Sequence, residues 1–136
     1  MSIEAHKQVV RDYVLAFNAF DIARMRELFT EDAKIWGVLG AGPFDVVEPI
    51  WKELHEGLQM FLEIVEMAAD GDHVAVRFRE SGRFVAPCAR AMPELEPTDR
   101  PYAVTAMEWF RFRDGRIAER WGARDSATIR RQVTGG

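Results

Sequence analysis

The chain has 136 residues, a formal net charge of −4 and 48% apolar residues, enough to pack a core, and residues 1–136 are expected to form one domain. Acidic and basic residues are mixed along its length, so neither a nucleic-acid-binding patch nor a charged disordered tail is expected. No run approaches the roughly 20 apolar residues of a membrane span, and the single Cys88 has no partner for an internal disulfide or a zinc site.

In chain order, residues 3–18 read as a helix, with Val10, Tyr13, Val14 and Phe17 on one face at three- and four-residue spacing. Asp21 is placed to cap a short second helix, IARMRELF, whose stripe is Ile22, Met25, Leu28 and Phe29. AKIWGVLG, residues 33–40, reads as a strand ending at glycine. A third helix is expected from about 46 to 58. Asp45 and Glu48 there have capping-box spacing, Pro49 lies early enough to be tolerated, and Val47, Ile50, Trp51, Leu54 and Leu58 form the buried stripe with His55 at its margin.

The second half reads as strands. Two hairpins are marked by Asp-Gly, at Asp70-Gly71 and at Asp114-Gly115. VAPCARAMPELEPTDRP, with four prolines between Pro87 and Pro101, is an excursion within the domain. With a two-residue loop at 114–115, strict alternation sorts the last ribbon into two faces. One holds Glu108, Phe110, Phe112, Ile117, Glu119, Trp121 and Asp125. The other holds Met107, Trp109 and all five arginines, so the first is expected to face inward. In the first hairpin Phe61, Glu63, Val65 and Met67 are expected inward with Val74, Val76, Phe78 and Glu80. A bulge between 117 and 125 would reverse part of this sorting. The fold class expected is α+β: a cone-shaped curved antiparallel sheet wrapped around N-terminal helices, with a ligand cavity at the mouth.

IWGVLG, IWKELHEGL, GDHVAVRF and above all FRDGRIAERWGARDSATIRRQ resemble the SnoaL-like polyketide cyclases of the nuclear-transport-factor-2-like superfamily. EPTDRP is similar to that family's PTGRP-type loop, with Asp99 where glycine is usual. The resemblance implies an intramolecular aldol ring closure without cofactor or metal, with Asp125 at the position of the family's acid/base aspartate. Gly82-Arg83-Phe84 stands where the family often has Gly-Thr-His, so a role for that histidine is not carried over.

Asp125 is therefore the expected catalytic acid/base. Burial in an apolar cup would raise its pKa toward neutrality. The plainer alternative is a strand-end aspartate capping the following SATIRRQ turn. His55 is the second catalytic candidate, as a group that titrates near neutral pH. Tyr13, Phe17, Trp36 and Trp51 are expected to contact the substrate, together with Glu108, Phe110 and Trp121. Trp36 and Trp121 would be walls for a flat ring system. Glu80, Glu108 and Glu119 share the inward parity, and three unpaired buried carboxylates would be costly. Glu108 is the one expected beside Asp125.

No metal-ligand spacing or phosphate-binding loop is present, and no cofactor is expected. The expected partners are a small apolar ligand and a second copy of the chain, bound through the sheet face that carries Trp109; no nucleic acid or membrane is expected. A cytoplasmic location is expected from the lone thiol and from an N-terminus without an apolar leader. Two other readings stay open. A limonene-type epoxide hydrolase would need two aspartates bridged by an arginine inside the cavity, whereas the parity places the strand arginines outside and no second inward aspartate is evident. A non-catalytic binding or dimerisation module would have its cavity filled by side chains.

Overall fold

The computed structural model describes residues 2–135. Among these the elements run α1 (Ile3–Ala19), α2 (Ile22–Leu28), β1 (Phe29–Gly37), β2 (Gly40–Gly42), α3 (Phe44–Leu58), β3 (Phe61–Asp70), β4 (His73–Arg83), β5 (Pro101–Arg113), β6 (Arg116–Arg124) and α4 (Ser126–Thr134). The strands form one curved sheet in the order β2-β1-β6-β5-β4-β3. This is the expected α+β cone, and its sheet is mixed because β1 runs parallel to β6.

Local chemistry sets the helix ends. Asp21 caps α2, accepting from the Arg24 amide at 3.1 Å. Helix α3 starts earlier than its capping-box spacing suggested. Pro43 precedes it, and Asp45 in its first turn instead pairs with Arg26. Asn18 clamps α1 to the edge strand β3. Its amide donates to the Leu62 carbonyl and accepts from the Leu62 amide, both at 2.9 Å.

Aromatic side chains fill most of the interior between α1, α3 and the sheet. Tyr13 meets Phe110 edge-on at 5.3 Å, and Trp51 packs against Phe17 at 6.0 Å and Phe44 at 5.6 Å. Full burial of each such side chain stabilises the fold by about 1.5–3 kcal/mol. Tyr13, Phe17 and Phe110, expected to line a cavity, are core residues with no more than 1% exposure.

The hairpins decide which side chains enter the cone. Asp114 and Gly115 both take positive φ, as a type I′ turn requires. The first turn lies one residue later than expected, at Gly71–Asp72, with Asp70 opposite His73. Beyond each turn one extra residue is inserted. In β6, Arg113 pairs with Arg116 and Phe112 with Ile117 as alternation requires, but Arg111 then pairs with Glu119 and Phe110 with Arg120. Ile117 and Ala118 are both buried, the signature of a bulge. Every later residue of β6 is turned over. Arg120, Gly122 and Arg124 face inward, while Glu119, Trp121 and Ala123 face outward, opposite to the expected sorting. In β3 the inserted residue is Val65. Leu62 and Ile64 therefore enter the core, and Phe61 and Val65, expected inside, are half-exposed outside.

Candidate active site

The inversion of β6 creates a buried polar chain. Arg120 is 2% exposed, and its Nε donates to Glu108 Oε1 at 3.0 Å. Its Nη2 lies 2.8 Å from Oε2, but off-line, so Oε2 has an ionic contact and no directed hydrogen bond. Tyr13 donates to Glu108 Oε1 at 3.2 Å. Four residues along β6, Arg124 Nε donates to Glu80 Oε1 at 2.6 Å, and the Tyr102 hydroxyl donates to Glu80 Oε2 at 2.9 Å. Arg124 Nη2 stands 3.6 Å from Glu108 Oε2 and joins the two halves. Glu80 and Glu108 are thus bridged by one inward arginine, with a second arginine and two phenols completing the chain.

The sheet builds this arrangement locally. Glu108 lies opposite Gly122 across the β5–β6 ladder. A Cβ at Gly122 would sit 2.8–2.9 Å from the Arg120 guanidinium, so glycine lets that group lie over the strand and reach Glu108. Burial and the adjacent Glu108 push the Tyr13 phenol well above its ordinary range, and burial with Glu80 does the same to Tyr102. Both are neutral donors. Burial works against the Arg120 cation, but Glu108 outweighs it and holds the guanidinium protonated. Two carboxylates and two guanidiniums leave the chain neutral, which makes four interior charges tolerable.

Asp125 lies elsewhere. It is exposed, beyond the end of β6, and caps α4. Oδ1 accepts from the Thr128 amide at 3.0 Å and Oδ2 from the Thr128 hydroxyl at 2.6 Å. Those bonds hold its pKa below the usual aspartate range, opposite to the expected rise. The bulge removed the apolar cup on which the argument for Asp125 rested. His55 is half-buried between Phe17 and Phe20, each at 4.7 Å, and desolvation lowers its pKa. Its Nε2 is buried without a hydrogen bond among the described residues. Trp36 and Trp121 do meet, stacked at 3.9 Å, but on the outer sheet face, with Trp121 45% exposed. Glu119, expected inside, pairs with Arg111 there, and that bond lowers its pKa.

Two small adjoining voids, of about 50 and 20 Å³, lie beside Arg124 at the mouth of the cone. Val38, Leu39, Leu54 and Met60 wall both. The larger also reaches Glu80, Met92 and Ile129; the smaller reaches Arg120 and Trp51. Arg124 Nη2 is buried and makes no hydrogen bond among the described residues. Of the expected contact residues, Trp51 touches a void and Glu108 stands behind one as the anchor of both arginines. Sequence reasoning missed Arg120, Arg124 and Tyr102, and left Glu80 undistinguished among three carboxylates. A larger groove, about 680 Å³, runs over the outer sheet face past Met107, Trp109 and Trp121. Its lining includes the exposed Glu66–Arg77 pair at 3.4 Å and Glu108, whose carboxylate is engaged by Arg120 and Tyr13.

A model of the SnoaL-like domain matches residues 10–120. The chain belongs to the SnoaL-like domain family. IdmH of Streptomyces antibioticus, assigned as a polyketide cyclase, is 26% identical, with 95% of this chain and 98% of that one covered and a TM-score of 0.81. AclR of Streptomyces galilaeus, assigned as a hydroxylase, is 17% identical over 99% of both chains, TM-score 0.85. A protein of Xanthomonas campestris assigned as a polyketide cyclase is 19% identical, covering 96% and 97%, TM-score 0.85. The last two likenesses are of fold. No curated protein sequence matches the chain. Among the described residues, no helix of this SnoaL-like protein is long and apolar enough to cross a membrane, and no cluster of three metal-ligating side chains occurs.

Proposed function

We propose that this SnoaL-like protein is a cofactor-independent acid/base enzyme for an apolar, carbonyl-bearing substrate, catalysing an aldol-type cyclisation or an isomerisation at the mouth of the cone. The observation that carries the reading is the void-lining pair Glu80 and Arg124, a carboxylate base beside a guanidinium whose buried Nη2 makes no hydrogen bond among the described residues. The substrate carbonyl oxygen accepts from Arg124 Nη2. Glu80 removes a proton from the adjacent carbon, and the electron pair moves onto that oxygen as an enolate. The enolate carbon attacks a second carbonyl of the same molecule; in the isomerisation, where a C=C bond is conjugated with the enolate, Glu80 instead returns the proton to the far carbon and the double bond shifts. In the cyclisation the new alkoxide recovers the proton from Glu80. Proton transfer of this kind contributes about 10²–10⁴-fold, and alignment of the two reacting ends supplies much of the rest. Glu108 and Arg120 brace Arg124 from behind. The likeness to IdmH supports a cyclase.

A second reading, hydrolysis of an epoxide, is favoured by one feature: Glu80–Arg124–Glu108 is a carboxylate–arginine–carboxylate bridge inside the cone. There a carboxylate would take a proton from water as the water oxygen bonds to an epoxide carbon; that carbon's bond to the ring oxygen breaks, and the alkoxide released recovers the proton from the carboxyl group to give the diol.

Deuterium uptake from D2O at the carbons flanking a carbonyl tests the first reading, with 2-nonanone and 2-acetonaphthone as probes followed by proton NMR. Uptake above background supports it. Absence of uptake, with a diol formed from 1,2-epoxyoctane, would transfer the site to the second reading. We further propose that residues 1–136 act as one domain, in a cytoplasmic setting suited to the free, buried Cys88. Two copies pair through the outer sheet face, where Met107, Trp109 and Trp121 stand half-exposed among charges of both signs.

A further inference from the structure

We propose that the site selects a neutral, open-chain aliphatic compound held by a single acceptor oxygen, and excludes both anions and flat fused rings. This rests on the reading of the same site given above, and three observations carry it.

The first is charge. Arg124 and Arg120 face the voids, but Glu80 lines the larger one and Glu108 neutralises the pair from behind. A carboxylate ligand would gain Arg124 and meet Glu80 at the same wall, with its own desolvation uncompensated. The second is the polar inventory. Arg124 Nη2 is a buried donor, on a side chain 8% exposed, without a hydrogen bond among the described residues. One ketone, ester or epoxide oxygen satisfies it. The third is the wall. In the larger void Leu54, Leu58, Met60 and Met92 are aliphatic or thioether side chains, Trp51 reaches only the smaller void, and the stacked Trp36–Trp121 pair that would suit a planar ring lies on the other side of the sheet.

Size points the same way. Sites for small molecules enclose about 300–1,000 Å³, against about 50 Å³ here. The walls that can yield are Val38 and Leu39, in the turn between β1 and β2, and Met92, in the irregular stretch before β5. Neither belongs to the sheet ladder. Methionine is unbranched and readily repacked. A narrow chain enters by displacing these few side chains. A rigid fused ring would have to part α3 from the sheet.

The experiment is calorimetric titration of the whole protein with three probes of similar size: 2-nonanone, nonanoate and 2-acetonaphthone. The expected result is that 2-nonanone binds at least about tenfold more tightly than either of the others. Two variants locate the binding. Val38→Trp, at a half-exposed position where the fold is not at risk, and Met92→Phe both narrow the void and should each weaken 2-nonanone by about tenfold or more. Equal or tighter binding of nonanoate or 2-acetonaphthone overturns the proposal. So does indifference to both variants, and so does absence of binding by all three probes. Binding of 2-nonanone as expected with no deuterium uptake would remove the activity and leave the ligand class standing. Uptake on 2-acetonaphthone alone would do the reverse.

Discussion

Replacing Arg120 by methionine tests whether β6 turns its guanidiniums inward. Methionine matches the aliphatic stem and removes the charge. Glu108, whose side chain is fully buried, would keep only the Tyr13 hydroxyl and the off-line Arg124 contact. Breaking a buried ion pair from one side costs about 3–5 kcal/mol, because the remaining charge is left uncompensated. For a chain of this length that corresponds to a fall in melting temperature of about 10–20 °C. Adding Glu108→Leu removes the stranded carboxylate but leaves the Tyr13 hydroxyl without its acceptor, so the double variant should recover about 1–3 kcal/mol relative to the single. Urea denaturation followed by circular dichroism, across wild type, both singles and the double, gives the coupling energy. A loss within about 0.5 kcal/mol for Arg120→Met is what a solvated surface arginine gives. That result, or additivity in the cycle, would refute the inward placement.

Gly122→Ala places a methyl against the Arg120 guanidinium and should destabilise by roughly 1–3 kcal/mol; the same assay giving no change would mean that Arg120 does not lie over the strand. His55 is held neutral by desolvation, so the unfolded chain binds its proton more readily. Stability should fall as pH drops through about 6.5, and His55→Phe should make that slope shallower in melting curves between pH 5 and 8. An unchanged slope would show that His55 is hydrated in the folded state. Trp109→Glu, which puts a charge on the outer sheet face, should leave the fold intact and convert a dimer to a monomer in sedimentation velocity. A dimer that persists would move the interface elsewhere.

Periodicity and turn chemistry made most of the fold legible. The stripes of α1 and α3, the cap at Asp21 and the turn at Asp114-Gly115 all lie where the residues put them. The site was not legible, because alternation carries no memory of an inserted residue. Sorting the arginines outward assumed that every cation seeks water, whereas Glu80 and Glu108, on the inward face of β4 and β5, required two buried cations. That requirement, with the adjacent apolar pair Ile117-Ala118 and a glycine at 122 inside a strand, was the signal for the bulge. The similarity to the SnoaL-like family placed Asp125 at the end of the right strand. Its side chain was then claimed by the first turn of α4, since an aspartate just before SATIRRQ is a strong cap.

The most direct test compares deuterium uptake by 2-nonanone for three variants at one pH: Glu80→Gln, Arg124→Gln and Asp125→Asn. Circular dichroism would establish that each is folded. Uptake should fall by about 10²-fold or more for the first two, the size of a lost proton-transfer group, and stay within about threefold for Asp125→Asn. Loss of exchange in Asp125→Asn, with Glu80→Gln active, would contradict the account and return the chemistry to the capping aspartate.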